Sequence, residues 1–399
     1  MANPATSPRG IAALHVDKLG LLVALLTGWG LGGASFATFR ANRIVQGSAV
    51  EFWNALPSSL ALAAMLGIVA AAAAGALGRS HLLRLASGLA GLIVVLLLIG
   101  TAAGYLTSEG DKLARVSPAA GFWLLVIAFA LLIIDALSRL SVKPLVRLVI
   151  LAAFYLVFGL GLAAGLWDDL SLLKEYSTRA ASFWAEGRNH LVLAMGSMAA
   201  AILAGIPIGL VCYALPATRS AILNILNTIQ TIPSMAMFTL LIAPLGWIAT
   251  NIPGASELGI RGIGTAPAFV ALFLYSLLPV VANTVAGLAG VPHNVRDAAR
   301  GTGMTAWQRL ARVDFPLALP TILTGIRIVL VQNIGLVTIA ALIGGGGYGV
   351  FVFQGLGQMA TDLVLLGALP TVLLAVSAAV VLDAVIEAAS SPGAQGKAE

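Results

Sequence analysis

The feature that most constrains the fold is a series of ten apolar segments, nine of them uncharged and one with a single charge, Arg327, and each close to the length that crosses a bilayer. A helix needs about 20 apolar residues to span a hydrocarbon core of about 30 Å. Only 10% of the residues are charged and 59% are hydrophobic, whereas soluble domains carry about 25% charged residues. Lipid is therefore expected to be the main solvent of the chain. The ten segments are residues 19–39, 56–77, 85–107, 116–134, 148–167, 191–215, 221–250, 265–290, 317–344 and 363–382.

These segments are continuously apolar, which favours helices over the alternating strands of a membrane barrel. The sequence thus predicts an all-α integral membrane protein of about ten transmembrane helices. A polar stretch, residues 167–190, separates five segments from the next five. We expect two modules there, residues 1–188 and 189–399. The first module has almost no polar residue inside a span and no chemical motif, so its role stays open.

The basic residues predict the orientation of the chain. With the N-terminus in the cytoplasm, 13 of the 22 Lys and Arg residues lie in cytoplasmic loops or termini, 8 lie outside, and Arg327 lies within a span. Cytoplasmic loops carry an excess of Lys and Arg, so both termini are expected in the cytoplasm. The basic residues form no cluster with interleaved aromatic residues, which argues against binding of nucleic acid.

The most polar cytoplasmic connection, residues 291–318, predicts two short helices joined by a glycine turn. Pro292 and Asn294 suit the start of a helix, and Gly301 and Gly303 interrupt it. A second short helix is expected around Trp307. Such a surface element presents apolar and basic side chains together, which suits the docking of another protein.

This connection resembles the EAA loop of bacterial ABC importer permeases. The matching positions, at the family's spacing, are Asp297, Ala298, Ala299, Gly303, Val313, Phe315 and Pro316. Asp297 and Phe315 stand where the family usually has Glu and Leu. In the family, this loop forms coupling helices that seat in a groove of the ATP-binding subunit. The resemblance implies a coupling surface made of Asp297, Ala298, Ala299, Gly303, Met304, Trp307, Arg309 and Pro316.

Neighbouring segments are similar to those of osmoprotectant permeases, namely residues 226–234, 276–279, 300–304 and 343–349. The resemblance covers roughly residues 189–387. It implies a type I ABC importer permease core preceded by extra N-terminal spans, in the bacterial cytoplasmic (inner) membrane. The implied function is the inward movement of glycine betaine, choline or a related quaternary ammonium compound by alternating access. Which of these solutes is carried stays open.

The resemblance also implies the partners of the chain. They are a cytoplasmic ATP-binding subunit that holds ATP and Mg, a periplasmic or lipid-anchored substrate-binding protein, and a second permease copy, identical or different. The glycine run 344–347 lacks the Lys of a phosphate-binding loop. We therefore expect a transport subunit that binds no cofactor and is not an enzyme, with the glycines forming an outer hinge or a plain helix end. The single Cys212 and four dispersed histidines predict no metal site.

Polar residues inside the second set of spans predict a translocation path. The alternative is that they form hydrogen bonds between helices, worth about 0.6 kcal/mol on average, and that Arg327 extends along its own stem to the membrane surface. Both interpretations stay open. The candidate path residues are Gln230, Thr231, Pro233, Ser234, Asn283, Arg327, Gln332 and Asn333.

The alternative function is an ion-gradient-driven secondary transporter of a small polar solute. Such transporters use carboxylates in the middle of the membrane for ion or proton coupling. In this sequence Asp135 and Asp383 lie near the cytoplasmic ends of their spans instead.

Overall fold

The computed structural model describes residues 18–43, 45–78, 80–107, 113–140 and 142–390. By internal contacts the chain divides into two compact units. The first comprises Met1–Val142 and Leu156–Lys174, and the second comprises Lys143–Tyr155 and Glu175–Glu399. The terminal segments that the sequence places in the cytoplasm, residues 1–17 and 391–399, lie outside the described residues.

The first unit contains four apolar helices, the second half of a fifth, and a small sheet. The helices are α1 Lys18–Gly32, α2 Ser58–Leu77, α3 His81–Leu106, α4 Ala120–Arg139 and α5 Pro144–Ala163. Their core is apolar and includes a contact between the rings of Phe36 and Phe52, whose centroids lie 5.2 Å apart. Helix α5 begins in the second unit and ends in the first.

The three-stranded sheet was not predicted from the sequence. Its strands, β1 Ala37–Arg40, β2 Ser48–Val50 and β3 Arg115–Pro118, pair antiparallel in the order β2-β1-β3. The predicted first span, residues 19–39, is therefore too long, since α1 ends at Gly32 after 15 residues. Thr38 and Phe39 are β-branched and aromatic residues that favour strands, and a continuously apolar window does not distinguish them from the end of a helix.

The second unit contains the remaining helices. They are α6 Ser171–Ala214, α7 Pro216–Thr231, α8 Ser234–Leu240, α9 Ile242–Asn251, α10 Thr265–Ala289, α11 His293–Gly301, α12 Ala306–Arg309, α13 Phe315–Ala340, α14 Gly349–Gly357 and α15 Thr361–Ser390. Residues 171–174 of α6 belong to the first unit, and the expected module boundary at residue 188 lies inside this helix. Near the boundary between the units, Arg179 departs from helical geometry with φ −130° and ψ 16°.

The helices agree with the prediction of about ten spans. Among the described residues, nine helices are long and apolar enough to cross a membrane, and α1 is a shorter apolar helix. The predicted span 221–250 is interrupted, however, between α7 and α8. Proline has no backbone N–H and disfavours helical geometry in the residue before it, so Pro233 leaves Ile232 extended at ψ 126°. Helix α8 then starts at Ser234.

Close packing of α10 against α13 forms the centre of the second unit. A Cβ atom on Gly325 of α13 would lie 2.7 Å from the Cβ of Asn283 and 2.8 Å from the backbone oxygen of Pro279. Glycine therefore sets the distance between these two helices. In membranes, where lipid is as apolar as the helices, small residues at the contact allow the van der Waals packing that holds helices together.

We expect Gly325→Ala to lower the stability of the protein by about 1–3 kcal/mol, because the added methyl group overpacks the contact between α10 and α13. Gly335→Ala on the same helix is the matched control, since a Cβ there meets nothing within 4 Å. The measurement is thermal unfolding of both variants in detergent. Equal melting temperatures for the two variants would show that the close contact does not limit stability.

Candidate functional site

The first candidate site is the coupling segment, residues 291–318, between α10 and α13. Helix α11 ends in a glycine turn in which the N–H of Gly303 donates to the oxygen of Arg300 at 2.9 Å. The N–H of Met304 donates to the oxygen of Ala299 at 3.2 Å. Gly303 has φ +81°, the left-handed conformation that ends many helices and that glycine adopts without strain. The sequence pattern thus correctly predicted where this helix stops.

The second short helix, α12, begins with a reciprocal pair of hydrogen bonds. The N–H of Gln308 donates to Oγ1 of Thr305 at 3.3 Å, and the N–H of Thr305 donates to Oε1 of Gln308 at 2.9 Å. This capping box satisfies two backbone donors that the first turn of a helix leaves unpaired. Through one wider turn, Leu310–Asp314, α12 continues directly into α13. A displacement of α12 is therefore passed to α13 without an intervening loop.

A buried ion pair ties the coupling segment together. Asp314 is 2% exposed, and its carboxylate lies 3.1 Å from Nε of Arg296 and 3.5 Å from Nε of Arg309. Arg296 also donates to the backbone oxygen of Leu288, and its guanidinium lies 5.5 Å from the ring centroid of Tyr213. The ends of α6 and α10, helix α11 and the start of α13 thus meet at one arginine. The sequence pattern predicts Arg296 only as one of the cytoplasmic basic residues, and it does not distinguish Asp314.

Some of the predicted coupling residues are exposed, and the others are partly or fully buried. We define the coupling face as the exposed members, Asp297, Ala298, Gly303, Trp307 and Pro316. Met304 and Arg309 are partly buried, and Ala299 is buried. Trp307 is 73% exposed on this segment, and large exposed aromatic side chains are typical of protein interaction sites. The ion pair of Asp297 with Arg300, 3.2 Å long, is exposed and contributes little to stability.

The second candidate site is the predicted path, and its innermost residue forms hydrogen bonds between helices. Asn333 of α13 is fully buried, and its Nδ2 donates to Oγ of Ser197 on α6 and to Oγ of Ser276 on α10, both at 2.9 Å. The bonds satisfy a buried amide that would otherwise cost free energy. For Asn333 the structure therefore favours the interhelical hydrogen bonding that the sequence left open. Ser197 was not among the sequence candidates.

Around the break at Pro233, side chains of α7 and α10 bind each other's backbone. Nε2 of Gln230 donates to the oxygen of Tyr275 at 2.8 Å, and the hydroxyl of Tyr275 donates to the oxygen of Ile232. Thr231 and Pro233 are exposed, and Ser234 is partly buried. Hydrogen bonds thus stabilise one side of this break, while the side that carries Thr231 and Pro233 is exposed.

The remaining path candidates lie apart from the break. Nδ2 of Asn283 donates to the oxygen of Pro279 in its own helix at 2.8 Å, and Gln332 is partly buried. Arg327 is paired, because its Nη1 lies 2.9 Å from Oδ1 of Asp383 on α15. Both side chains of this pair are about one third exposed. Arg327 is therefore not the isolated charge that the sequence alone suggested.

Comparison with known proteins places both parts of the chain beside transport permeases. The protein-family model described as "ABC transporter permease YehY, N-terminal domain" matches residues 17–173. The protein-family model described as "Binding-protein-dependent transport system inner membrane component" matches residues 201–390. The second match includes the whole coupling segment.

Curated relatives are similar over about half of the chain. The osmoprotectant import permease protein OsmW of Salmonella typhimurium is 41% identical over 187 residues, which is 47% of this chain and 82% of OsmW. OsmY of the same organism, also an osmoprotectant import permease protein, is 37% identical over 60% of this chain and 90% of its own length. The glycine betaine/carnitine/choline transport system permease protein OpuCB of Bacillus subtilis is 34% identical over 53% of this chain and 89% of OpuCB.

We expect Asp314→Asn to destabilise the protein by about 3 kcal/mol or more, because it leaves Arg296 buried without its counter-charge. Asp297→Asn is the matched control in the same segment, since the pair it removes is exposed and such changes stay within about 0.5 kcal/mol. The measurement is unfolding by denaturant in mixed micelles. A small and equal effect of both substitutions would contradict an anchoring role for the buried pair.

Proposed function

The chain belongs to the ABC importer permease family, and from that premise we propose that it moves a quaternary ammonium osmoprotectant such as glycine betaine or choline into the cell. The observation that carries the proposal is its identity of 34–41% with osmoprotectant permeases over 82–90% of their length. The chain is a multi-pass protein of the inner membrane. We infer that both termini are cytoplasmic, from the excess of basic residues in the loops on that side.

The proposed partners follow from the family and, for the ATP-binding subunit, from the coupling face. A cytoplasmic ATP-binding subunit receives Trp307 and its neighbours in a groove and carries out ATP hydrolysis with Mg, so this chain acts as a transport subunit. A second permease copy completes the pathway, and a substrate-binding protein delivers the solute. A quaternary ammonium group has no N–H to donate, so its recognition rests on cation–π attraction by aromatic faces, which we assign to that binding protein.

In the proposed mechanism, movement begins at the coupling segment. Closure of the ATP-binding subunits displaces α11 and α12, and the buried contact of Asp314 with Arg296 keeps α11 and the start of α13 moving together. The helix α13 then tilts as a rigid rod between inward and outward arrangements. Each ligand state drives this change only because it binds one arrangement more tightly than the other.

We propose the open face beside Pro233 as the part of this chain that lines the path. Gln230, Thr231 and Ser234 supply polar groups there, and the adjoining surface of α8 carries a shallow depression of about 390 Å³ lined by Met235, Ala236, Thr239 and Leu240. Broken helices are tolerated in membranes where they face protein or a watery cavity. We place Asn283, Arg327 and Gln332 along the same route, and the permease core in residues 189–399 after an N-terminal module of residues 1–188.

The alternative is an ion-driven secondary transporter, and the ion pairs of Asp135 and Asp383 do not support it. Asp383 is paired with Arg327, and Asp135 is paired with Arg84 at 2.8 Å and with Arg139 at 2.7 Å. Both carboxylates are thus engaged in ion pairs with arginines rather than placed mid-membrane for ion or proton coupling, where such transporters carry them.

The experiment measures ATP-dependent uptake of radiolabelled glycine betaine and choline by vesicles that contain the complete transporter. We expect Gly303→Val to reduce this uptake at least tenfold, because a β-branched residue at φ +81° strains the turn and 1.4 kcal/mol of strain already corresponds to a factor of ten. Gly301→Val is the matched control, since Gly301 lies within α11 and has open space around it. Membrane insertion should be equal in both variants.

Undiminished uptake in the Gly303→Val transporter would refute the coupling role of this turn. Gradient-driven uptake by the chain without its ATP-binding partner would refute the importer proposal as a whole.

A further inference from the structure

A glycine turn, residues 344–347, follows α13. Gly344, Gly346 and Gly347 have φ values of +78°, +77° and +85°, so this turn has a conformation that other residues adopt only with strain. Helix α13 has 26 residues, or about 39 Å at 1.5 Å per residue. The glycine turn and the coupling segment therefore lie at opposite ends of α13.

Two side chains of α6 hold this turn. Oε2 of Glu186 accepts a hydrogen bond from the N–H of Gly347 at 2.6 Å. Nδ1 of His190 accepts one from the N–H of Tyr348 at 3.2 Å. The two acceptors lie one helical turn apart on α6, which places both on the same face. The turn thus receives from α6 the acceptors that its own backbone does not provide.

His190 extends the connection to α13 itself. Its Nε2 lies 2.9 Å from the backbone oxygen of Ile334, and the ring is fully buried. A backbone N–H can only donate, so Nδ1 carries no proton and the ring donates to Ile334 through Nε2–H. One neutral imidazole therefore links α6, α13 and the turn, and each of its nitrogen atoms has a partner.

The surrounding residues leave little room for a looser arrangement. A Cβ on Gly187 would lie 2.5 Å from the hydroxyl oxygen of Tyr348. The Tyr348 ring is 6% exposed and packs against Phe183, with centroids 5.0 Å apart. Separation of α6 from the end of α13 consequently has to break both hydrogen bonds and withdraw Tyr348 from its packing.

We propose that Glu186 and His190 are positioning residues for transport, which form an outer latch on the glycine turn that opens once in each transport cycle. The inference rests on the proposed function, because alternating access requires the end of the core opposite the coupling segment to open and close. The bond from Glu186 is charge-assisted and hence the stronger of the two. When the latch opens, the solute enters at this end of the core. At the other end, the coupling segment moves with the ATP-binding subunits.

A reversible disulfide tests whether the latch must open. The Cβ of Asn189 lies 3.7 Å from the position of a Cβ on Gly346, within the range of 3.5–4.5 Å found in disulfides. The pair Asn189→Cys and Gly346→Cys is introduced with Cys212→Ser, which removes the only native thiol. We expect oxidation to reduce ATP-dependent uptake of glycine betaine at least tenfold, and a reductant to restore it.

The single variants Asn189→Cys and Gly346→Cys, each with Cys212→Ser, are the controls, and oxidant should leave their uptake unchanged. The Gly346→Cys control also reports the strain of a side chain at positive φ. Full cross-linking with unchanged uptake would overturn the latch. Absence of ATP-dependent uptake in the native transporter would instead count against the proposed function.

A second measurement does not require a cysteine at Gly346. We expect Glu186→Ala to raise ATP hydrolysis by the complete transporter in the absence of its substrate-binding protein by about fivefold, because the latch then opens without the signal from that protein. Glu186→Gln retains a neutral acceptor for the N–H of Gly347 and should restore most of the native regulation. A Glu186→Ala transporter that is less stable but has native hydrolysis would show a purely structural role and refute the proposal.

Discussion

Lipid offers no hydrogen bonds to a polypeptide backbone, and the second unit depends on how it meets this constraint at its helix breaks. At Pro233 the oxygen of Ile232 accepts from the hydroxyl of Tyr275. In the last turn of α10 the oxygen of Leu288 accepts from Arg296, and after α13 the N–H of Gly347 donates to Glu186. In each case a side chain from another helix forms a hydrogen bond with a backbone group at or near the helix break. The breaks are therefore stabilised by tertiary contacts rather than by solvent.

These breaks are also the places where segments of the chain can move relative to one another. Continuous helices transmit displacement as rigid elements, whereas a break allows one part to move relative to another. The coupling segment and the glycine turn lie at the two ends of α13, and the break at Pro233 lies between α7 and α8. Along α13 itself, the hydrogen bonds of Asn333 with Ser197 and Ser276 fix its contacts with α6 and α10. Conformational change is thus expected to concentrate at the ends, while the middle acts as a pivot.

Some charged side chains on the membrane-spanning helices are paired in the same way as the backbone groups. Arg327 pairs with Asp383, and Arg84 pairs with Asp135 in the first unit. An isolated arginine at the centre of a helix in lipid costs about 2.5–3.5 kcal/mol on insertion scales, and pairing reduces that cost. Both pairs join neighbouring helices of one unit, so charge here serves assembly and leaves no unpaired carboxylate among these residues for proton transport.

The sequence by itself determined that the chain is helical and membrane-embedded, because the length and hydropathy of a span are local properties. It also determined the two helices of the coupling segment, since the glycine turn at Gly303 acts within one or two turns of its own position. Local patterns were misleading where an apolar run had two possible structures: residues 37–40 form a strand, and residues 221–250 are divided at Pro233. Only the tertiary structure decided which polar side chains meet. Asn333 and Ser197 are separated by 136 residues and Gly347 and Glu186 by 161, and no local propensity specifies such pairs, because they arise from the packing of whole helices against one another.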